Sequence, residues 1–212
     1  MTTLLLPPSV ARPFPLPPLD GMQDEVRLAF LHEQVLQWAD PRLGAALEIG
    51  VYKGCSTVVL ADACRCVGLE QLTAIDLFTG TAGWNQREDT EAAARARLAE
   101  FGFAGFVELV RGDSAVVPWG NDLAVLHVDG DHRYESVARD IRRFTPLLAP
   151  GGIVVFDDYD QAHPGVLRAV HELLAGAPGL AAPGFTIVGV NNHREHTGSI
   201  CLRRLWRSAD GS

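Results

Sequence analysis

The chain has 212 residues, of which 47% are hydrophobic and 21% charged, and a formal net charge of -8 at pH 7. This length and balance describe a soluble globular chain able to bury a substantial core, and one domain is the natural expectation. The acidic surplus argues against a duplex nucleic-acid binder, which needs a basic face, and leaves small-molecule ligands open.

No apolar run approaches the roughly 20 residues of a membrane helix. The start, Leu4 to Leu6 followed by prolines, lacks the basic segment of a secretory signal. A cytoplasmic protein is expected. Cys55, Cys64, Cys66 and Cys201 are the four cysteines. Cys64-x-Cys66 has no second paired motif, which disfavours zinc, so free thiols in a reducing compartment are expected.

Residues 7 to 18 contain six prolines. That density forbids helix and central strand, so residues 1–19 read as an extended proline-rich arm before a single domain over 20–212. Asp20 is a candidate N-cap for a helix in which Val26, Phe30, Leu31, Val35 and Trp38 recur at helical spacing before Pro41.

From Ala45 onward, short apolar runs alternate with helical stretches. Strands are predicted at 45–51, 72–77, 107–111, 123–128, 153–156, 186–190 and 200–204. Helices are predicted near 56–63, 88–101, 134–148 and 164–175. Gly151-Gly152 after Pro150 should end one helix and open the next strand. This alternation predicts an α/β fold with a doubly wound, mostly parallel sheet. The last two strands are joined by a loop too short for a crossover, so they should pair antiparallel.

In a parallel sheet the strand C-termini share one edge, where ligands bind. Five successive strands carry an acid there: Glu48, Asp76, Asp113, Asp129 and Asp157. The runs Leu126-His-Val-Asp-Gly-Asp-His-Arg-Tyr134 and Ile153-Val-Val-Phe-Asp-Asp-Tyr159 end abruptly in carboxylates, with Asp131 and Asp158 beside Asp129 and Asp157. Carboxylates crowded together repel unless protons or a cation hold them, and an all-oxygen set suits a hard divalent ion such as Mg²⁺. Glu48-Ile-Gly50-Val-Tyr52-Lys-Gly54 lies between a strand and a helix, where glycines let backbone approach a ligand, although the three-glycine dinucleotide fingerprint is absent.

The segments Leu47–Gly54, Ala74–Asp76, Gly112–Ser114, His127–His132, Leu148–Gly152 and Phe156–Asp158 together resemble class I S-adenosylmethionine-dependent methyltransferases. Within these, the Asp-Gly-Asp-His and Asp-Asp pair is similar to the metal-dependent macrocin-type O-methyltransferases that modify sugar hydroxyls of antibiotics. The resemblance spans roughly Gly44 to Val170. It implies a Rossmann-like seven-stranded sheet with one antiparallel strand. It further implies that Glu48 and Gly50 line the methionine end of the cofactor, Asp76 the ribose, and Asp113 with Ser114 the adenine, with Tyr52 and Gly54 also among the cofactor-binding residues. Asp129 would border the cofactor and hold Mg²⁺ together with Asp157 and Asp158. The general base would be His132 or Asp131; a histidine sits nearer neutral pKa than an ordinary aspartate.

The expected activity is therefore Mg²⁺-dependent O-methyl transfer from S-adenosylmethionine to a hydroxyl, one of a vicinal pair on a sugar or other natural product. Cephalosporin-hydroxylase-type tailoring enzymes resemble the same motifs and form an alternative, and a non-catalytic adenine-nucleotide scaffold is a third reading. A homodimer is a family-based expectation. Trp84 and the loop Asn191-Asn-His-Arg-Glu-His196 are candidate ligand-covering segments at the same edge. His163 fits either the site or a helix start, and His193-x-x-His196 lacks a third ligand for a metal. Arg139, Arg142 and Arg143 read as the solvated face of a helix.

Overall fold

The computed structural model describes residues 17, 24–80, 90–180, 184–192 and 198–206. The proline-rich arm apart from Pro17, Asp20, Trp84, His193 and His196 lie outside the described residues. The first helix, α1 (Glu25–Trp38), is capped by Asp24, whose carboxylate accepts the N–H groups of Val26 and Arg27. Its buried side chains are Arg27, Leu28, Leu31, Gln34 and Val35. The predicted stripe therefore shifts by about one residue: Val26 is exposed, and an arginine takes a place on the inward face.

Seven strands follow: β1 (Ala45–Ile49), β2 (Leu72–Asp76), β3 (Val107–Arg111), β4 (Leu123–Val128), β5 (Leu148–Phe156), β6 (Phe185–Asn192) and β7 (Gly198–Arg204). Their spatial order is β3-β2-β1-β4-β5-β7-β6. Neighbours from β3 through β5 run parallel, and β7 is antiparallel to both β5 and β6. The chain winds outward from β1 to β3 and then resumes at β4 on the other side of β1. The order thus reverses between β1 and β4, where a doubly wound sheet opens its ligand crevice.

Helices α2 (Cys55–Cys66) and α3 (Glu91–Glu100) join α1 over one face, around Ala46, Ala74, Val125 and Val155. Helices α4 (Tyr134–Phe144) and α5 (Pro164–Leu174) cover the other, around Leu47, Leu126, Val154 and Phe156. Residue alternation along each strand supplies both layers, as expected for strands buried on two sides. No helix among the described residues is long and apolar enough to cross a membrane. The four cysteines are free; Cys55, Cys64 and Cys201 are buried and Cys66 is exposed.

Three boundaries differ from expectation for local reasons. Helix α4 stops at Phe144 rather than Leu148, because Pro146 removes a helical N–H and leaves a single 3₁₀ turn at Thr145–Leu147. Pro150-Gly151-Gly152 lies inside β5 instead of opening it. The β4–β5 register shifts there, from Leu123 opposite Leu148 to Val125 opposite Ile153, so the glycines form an irregularity within the strand. A side chain on Gly152 would come within 2.9 Å of the Leu123 carbonyl oxygen. Strand β1 ends at Ile49, two residues early, because Gly50 turns with φ +91° and a Cβ on it would lie 2.0 Å from the Asp129 carbonyl oxygen.

The arginines of α4 are tethers rather than a free solvated face. Arg139 pairs with Asp113 at 3.3 Å, Arg142 donates to the Gly179 carbonyl at 2.9 Å, and Arg143 donates to that of Val117. Asp140 on the buried side of this helix accepts the Ser114 hydroxyl at 2.7 Å. Burial raises its pKa from the ordinary 3.8 to about 6, outweighing the Ser114 hydrogen bond and the nearby Arg139. A carboxyl with a raised native pKa binds more protons folded than unfolded, so its contribution to stability falls as pH rises from about 4 to about 6. Asp140→Asn should accordingly stabilise the protein by roughly 1–3 kcal/mol at pH 7.5 and by almost nothing at pH 4. Urea unfolding at the two pH values checks this, and an equal effect at both would refute it.

Candidate active site

At the end of β1, Glu48 is fully buried. Its Oε1 accepts the Ser56 hydroxyl at 2.8 Å and lies 3.1 Å from His127 Nδ1, the residue directly opposite on β4. Its Oε2 is buried with no partner among the described residues, so this acceptor is open to a donor from a ligand. The following turn is held from the next strand: Asp76 Oδ2 accepts the N–H groups of Val51 at 2.7 Å and Tyr52 at 2.8 Å, while Oδ1 accepts that of Phe78 at 2.6 Å. Tyr52 itself sits at φ 51°, a left-handed conformation that non-glycine residues rarely adopt. Gly54, at φ +81°, begins α2 against Ala94 of α3. Both glycines are thus required by the packing of the protein on itself.

Asp113 and Ser114 follow β3, but each is turned toward the protein. Asp113 accepts the Ala115 N–H at 2.8 Å and faces Arg139, and Ser114 is committed to Asp140.

The carboxylates after β4 and β5 converge. One oxygen each from Asp129, Asp157 and Asp158 lies within 4.8 Å of the others. The ladder continues past the strands to put them there, with the Asp129 N–H bonded to the Ile49 carbonyl and the Asp157 N–H to that of Val128. Asp158 is buried at φ 55°. A strained backbone of this kind persists only where its surroundings impose it.

Arg27 completes the cluster. Its Nη1 donates to Asp157 Oδ2 at 3.1 Å and to Asp158 Oδ1 at 2.7 Å, and the whole residue is 8% exposed. Ser199 of β7 donates to Asp157 Oδ1 at 2.7 Å. Neither residue was singled out in the sequence, although Arg27 left a trace: it lies one and four residues before Leu28 and Leu31 on the face α1 buries.

Electrostatics sort these groups. Burial first, then Asp157 and Asp158, drives the Asp129 carboxyl well above the ordinary range. Burial would also raise Asp158, but the His132 hydrogen bond, with Arg27 and His163, holds it low. Burial would lower the Arg27 guanidinium, yet Asp157 and Asp158 hold it above its usual value.

His132 and Asp131, the two candidate bases, lie in different settings. His132 Nε2 is 2.8 Å from Asp158 Oδ2, and this contact raises the imidazole pKa against the opposing effect of burial. Asp131 accepts from the Arg133 backbone, the Arg133 guanidinium and the Ser136 hydroxyl. These outweigh its partial burial and hold its pKa at about 2. His163 sits beside the cluster, its ring centroid 4.6 Å from that of His132. A small cleft is lined by Val128, Asp129, Asp131, His132, Phe156 and Asp157.

Three comparisons place this arrangement among known proteins. A family described as "Methyltransferase domain" matches residues 47–159, from the end of β1 to just past the Asp157-Asp158 pair. A curated relative, an uncharacterized protein of Acanthamoeba polyphaga mimivirus, is 37% identical over 57 residues; the match spans about a quarter of each chain (26%). Among solved structures, cofactor-bound Rv0187 from MTB superposes with a TM-score of 0.60 at 19% identity, covering 89% of this chain and 83% of that one. CalS11, a TDP-rhamnose 3'-O-methyltransferase of calicheamicin biosynthesis, gives 0.57 at 22% identity, covering 85% and 77%. TomG, an O-methyltransferase from Streptomyces achromogenes in complex with S-adenosylmethionine, gives 0.56 at 24%, covering 87% and 82%. These structural likenesses establish the shared seven-stranded fold. The match over just more than half of the chain, centred on the crevice and its acidic cluster, establishes that the protein belongs to the methyltransferase-domain family.

Proposed function

We propose that this protein is an S-adenosylmethionine-dependent O-methyltransferase assisted by Mg²⁺, acting on a hydroxyl of a sugar or another natural-product small molecule. The observation that carries the proposal is the convergence of Asp129, Asp157 and Asp158 beside His132 at the crevice edge. TomG and CalS11, whose names describe O-methyltransferases of tomaymycin and calicheamicin synthesis on the same fold, support the O-methyl transfer.

The donor chemistry fits both groups. Glu48 Oε2, buried and without a partner among the described residues, is an acceptor suited to the ammonium of the cofactor's methionine. The Gly50–Gly54 turn and Asp76 would border the rest of it, with the Asp113–Ser114 segment at the adenine end. For the metal, three carboxylates against one guanidinium leave two negative charges, and a divalent cation would balance them. Asp129, Asp157 and Asp158 would hold it. When bound, Mg²⁺ acidifies a coordinated hydroxyl and orients it toward the methyl donor.

The residues of the chain supply the remaining functions. Asp158 orients the His132 ring through Nε2, which leaves Nδ1 as the nitrogen to accept the proton of the acceptor hydroxyl. Asp131 is a structural anchor for the turn entering α4, since a carboxylate held at about pKa 2 is a poor base near neutrality. Arg27 and Ser199 hold Asp157 and Asp158 in position.

The first test is calorimetry of S-adenosylmethionine binding with Mg²⁺ and then with a chelator. Absence of cofactor binding in both conditions would overturn the proposal. Asp129→Asn should then reduce Mg²⁺-stimulated methyl transfer at least roughly 100-fold, the scale of losing several kcal/mol of charge stabilisation, while changing cofactor affinity little. Transfer rates on a panel of vicinal diols measure this, and an unchanged rate would refute the metal assignment.

A further inference from the structure

Beside the all-oxygen cluster lies a second group of different chemistry. One ring nitrogen each from His132 and His163 and one carboxylate oxygen of Asp158 lie within 4.8 Å of one another. His132 Nε2 is 2.8 Å from Asp158 Oδ2, and His163 Nδ1 is 3.6 Å from Asp158 Oδ1. Neighbouring ligands on an ion at about 2.0–2.2 Å sit roughly 3–3.5 Å apart, so small rotations of the two imidazoles would bring this set onto one centre.

A separate observation concerns what holds His163. Asp160 is only 4% exposed, and its Oδ1 lies 3.0 Å from His163 Nδ1. That carboxylate is itself fixed by the N–H groups of Ala162, His163 and Gly198. A pinned, buried carboxylate that accepts the Nδ1–H of His163 fixes its tautomer and ring direction and leaves Nε2 as the nitrogen for an ion, the arrangement that supports metal-binding histidines. The two imidazoles also meet edge to face at 78°, with Asp158 between them and the hard cluster. An apolar core contact would not need three polar residues organised this way.

We infer that His132, Asp158 and His163 form a second metal site, selective for a borderline divalent transition ion of the Zn²⁺ type, with Asp158 shared between it and the carboxylate cluster. Two nitrogens and one oxygen suit Zn²⁺, Co²⁺ or Ni²⁺, whereas the all-oxygen set suits Mg²⁺. An ion in this site commits the His132 lone pair. On the proposed reaction, which this consequence rests on, Zn²⁺ would therefore inhibit methyl transfer measured in the presence of Mg²⁺.

Cobalt(II) titration of the full-length, chelator-treated protein tests the site without S-adenosylmethionine or an acceptor. Its failure is therefore distinguishable from failure of the methyltransferase reading. The wild type should take up one Co²⁺ with a visible ligand-field band that Zn²⁺ abolishes and excess Mg²⁺ does not. His163→Asn retains a donor for Asp160 but loses the ring; it should lose the band and bind Zn²⁺ at least about 10-fold more weakly. Its circular dichroism and cofactor affinity should match the wild type. Asp157→Asn, which alters only the all-oxygen cluster, should keep the band. Equal Co²⁺ affinity and spectra for wild type and His163→Asn, or loss of the band in Asp157→Asn but not in His163→Asn, would overturn the proposal.

Discussion

Arg27→Met should cost the protein about 3–5 kcal/mol of stability, among the largest effects of any single substitution outside the apolar core. Methionine keeps much of the arginine's length and apolar volume, so packing of α1 against Cys55 and Val59 through Leu28 should survive. What disappears is the guanidinium that bridges Asp157 and Asp158 at 3.1 and 2.7 Å in a buried setting. Two carboxylates, with Asp129 close by, would then face one another without their organic counter-ion. Removing one partner of a buried ion cluster leaves the other charges uncompensated, which is why the cost exceeds that of a surface pair.

The same substitution should sharpen the response to metal. An ion that binds only the folded state at a concentration 100 times its dissociation constant stabilises by about 2.7 kcal/mol. Mg²⁺ should therefore restore a large part of what Arg27→Met loses, and should stabilise the variant more than the wild type. Urea unfolding with Mg²⁺ and with a chelator measures both quantities. A variant as stable as the wild type in chelator would remove Arg27 from its assigned role; one that is destabilised but indifferent to Mg²⁺ would remove the ion from the cluster.

The second large effect separates the two candidate bases. His132→Gln should lower kcat by about 10²–10⁴-fold, the usual contribution of a positioned general base. Asp131→Asn should change kcat only a few-fold, because Arg133 and Ser136 already hold Asp131 in its ionised, poorly basic form. Its loss should instead appear as a weakened turn into α4, whose first residues these contacts anchor. Paired kinetic and thermal measurements on the two variants decide the matter. A collapse of kcat in Asp131→Asn with a mild effect in His132→Gln would reverse the assignment.

Much of this was legible in the sequence because it depends on local pattern. Apolar runs alternating with helical stretches gave the strand count. The short connection between the last two strands implied antiparallel pairing, and β6 and β7 pair that way. Acids at the ends of β1, β2, β4 and β5 could be assigned to one edge because parallel strands present their C-termini together. That rule gathered Asp129, Asp131, Asp157 and Asp158 at the edge; the resemblance singled out Asp129, Asp157 and Asp158, and those three converge while Asp131 turns to Arg133.

Tertiary structure alone decided the partners. Arg27 and Asp157 are 130 positions apart, and no periodicity links them; only the packing of α1 across the sheet brings the guanidinium to the cluster. Ser199 reaches Asp157 because β7 inserts antiparallel beside β5. Ser114 turns to Asp140, and Asp131 to Arg133, through side-chain choices set by neighbours in space. Hydrophobic periodicity specifies which face of an element is buried, whereas hydrogen bonds and charge pairs depend on distances of a few ångströms between elements. The sequence by itself thus determined the sheet, its ligand edge and the acids upon it. The Arg27 guanidinium that pairs with those acids, and the contacts that orient the histidines beside them, were settled by how the layers pack.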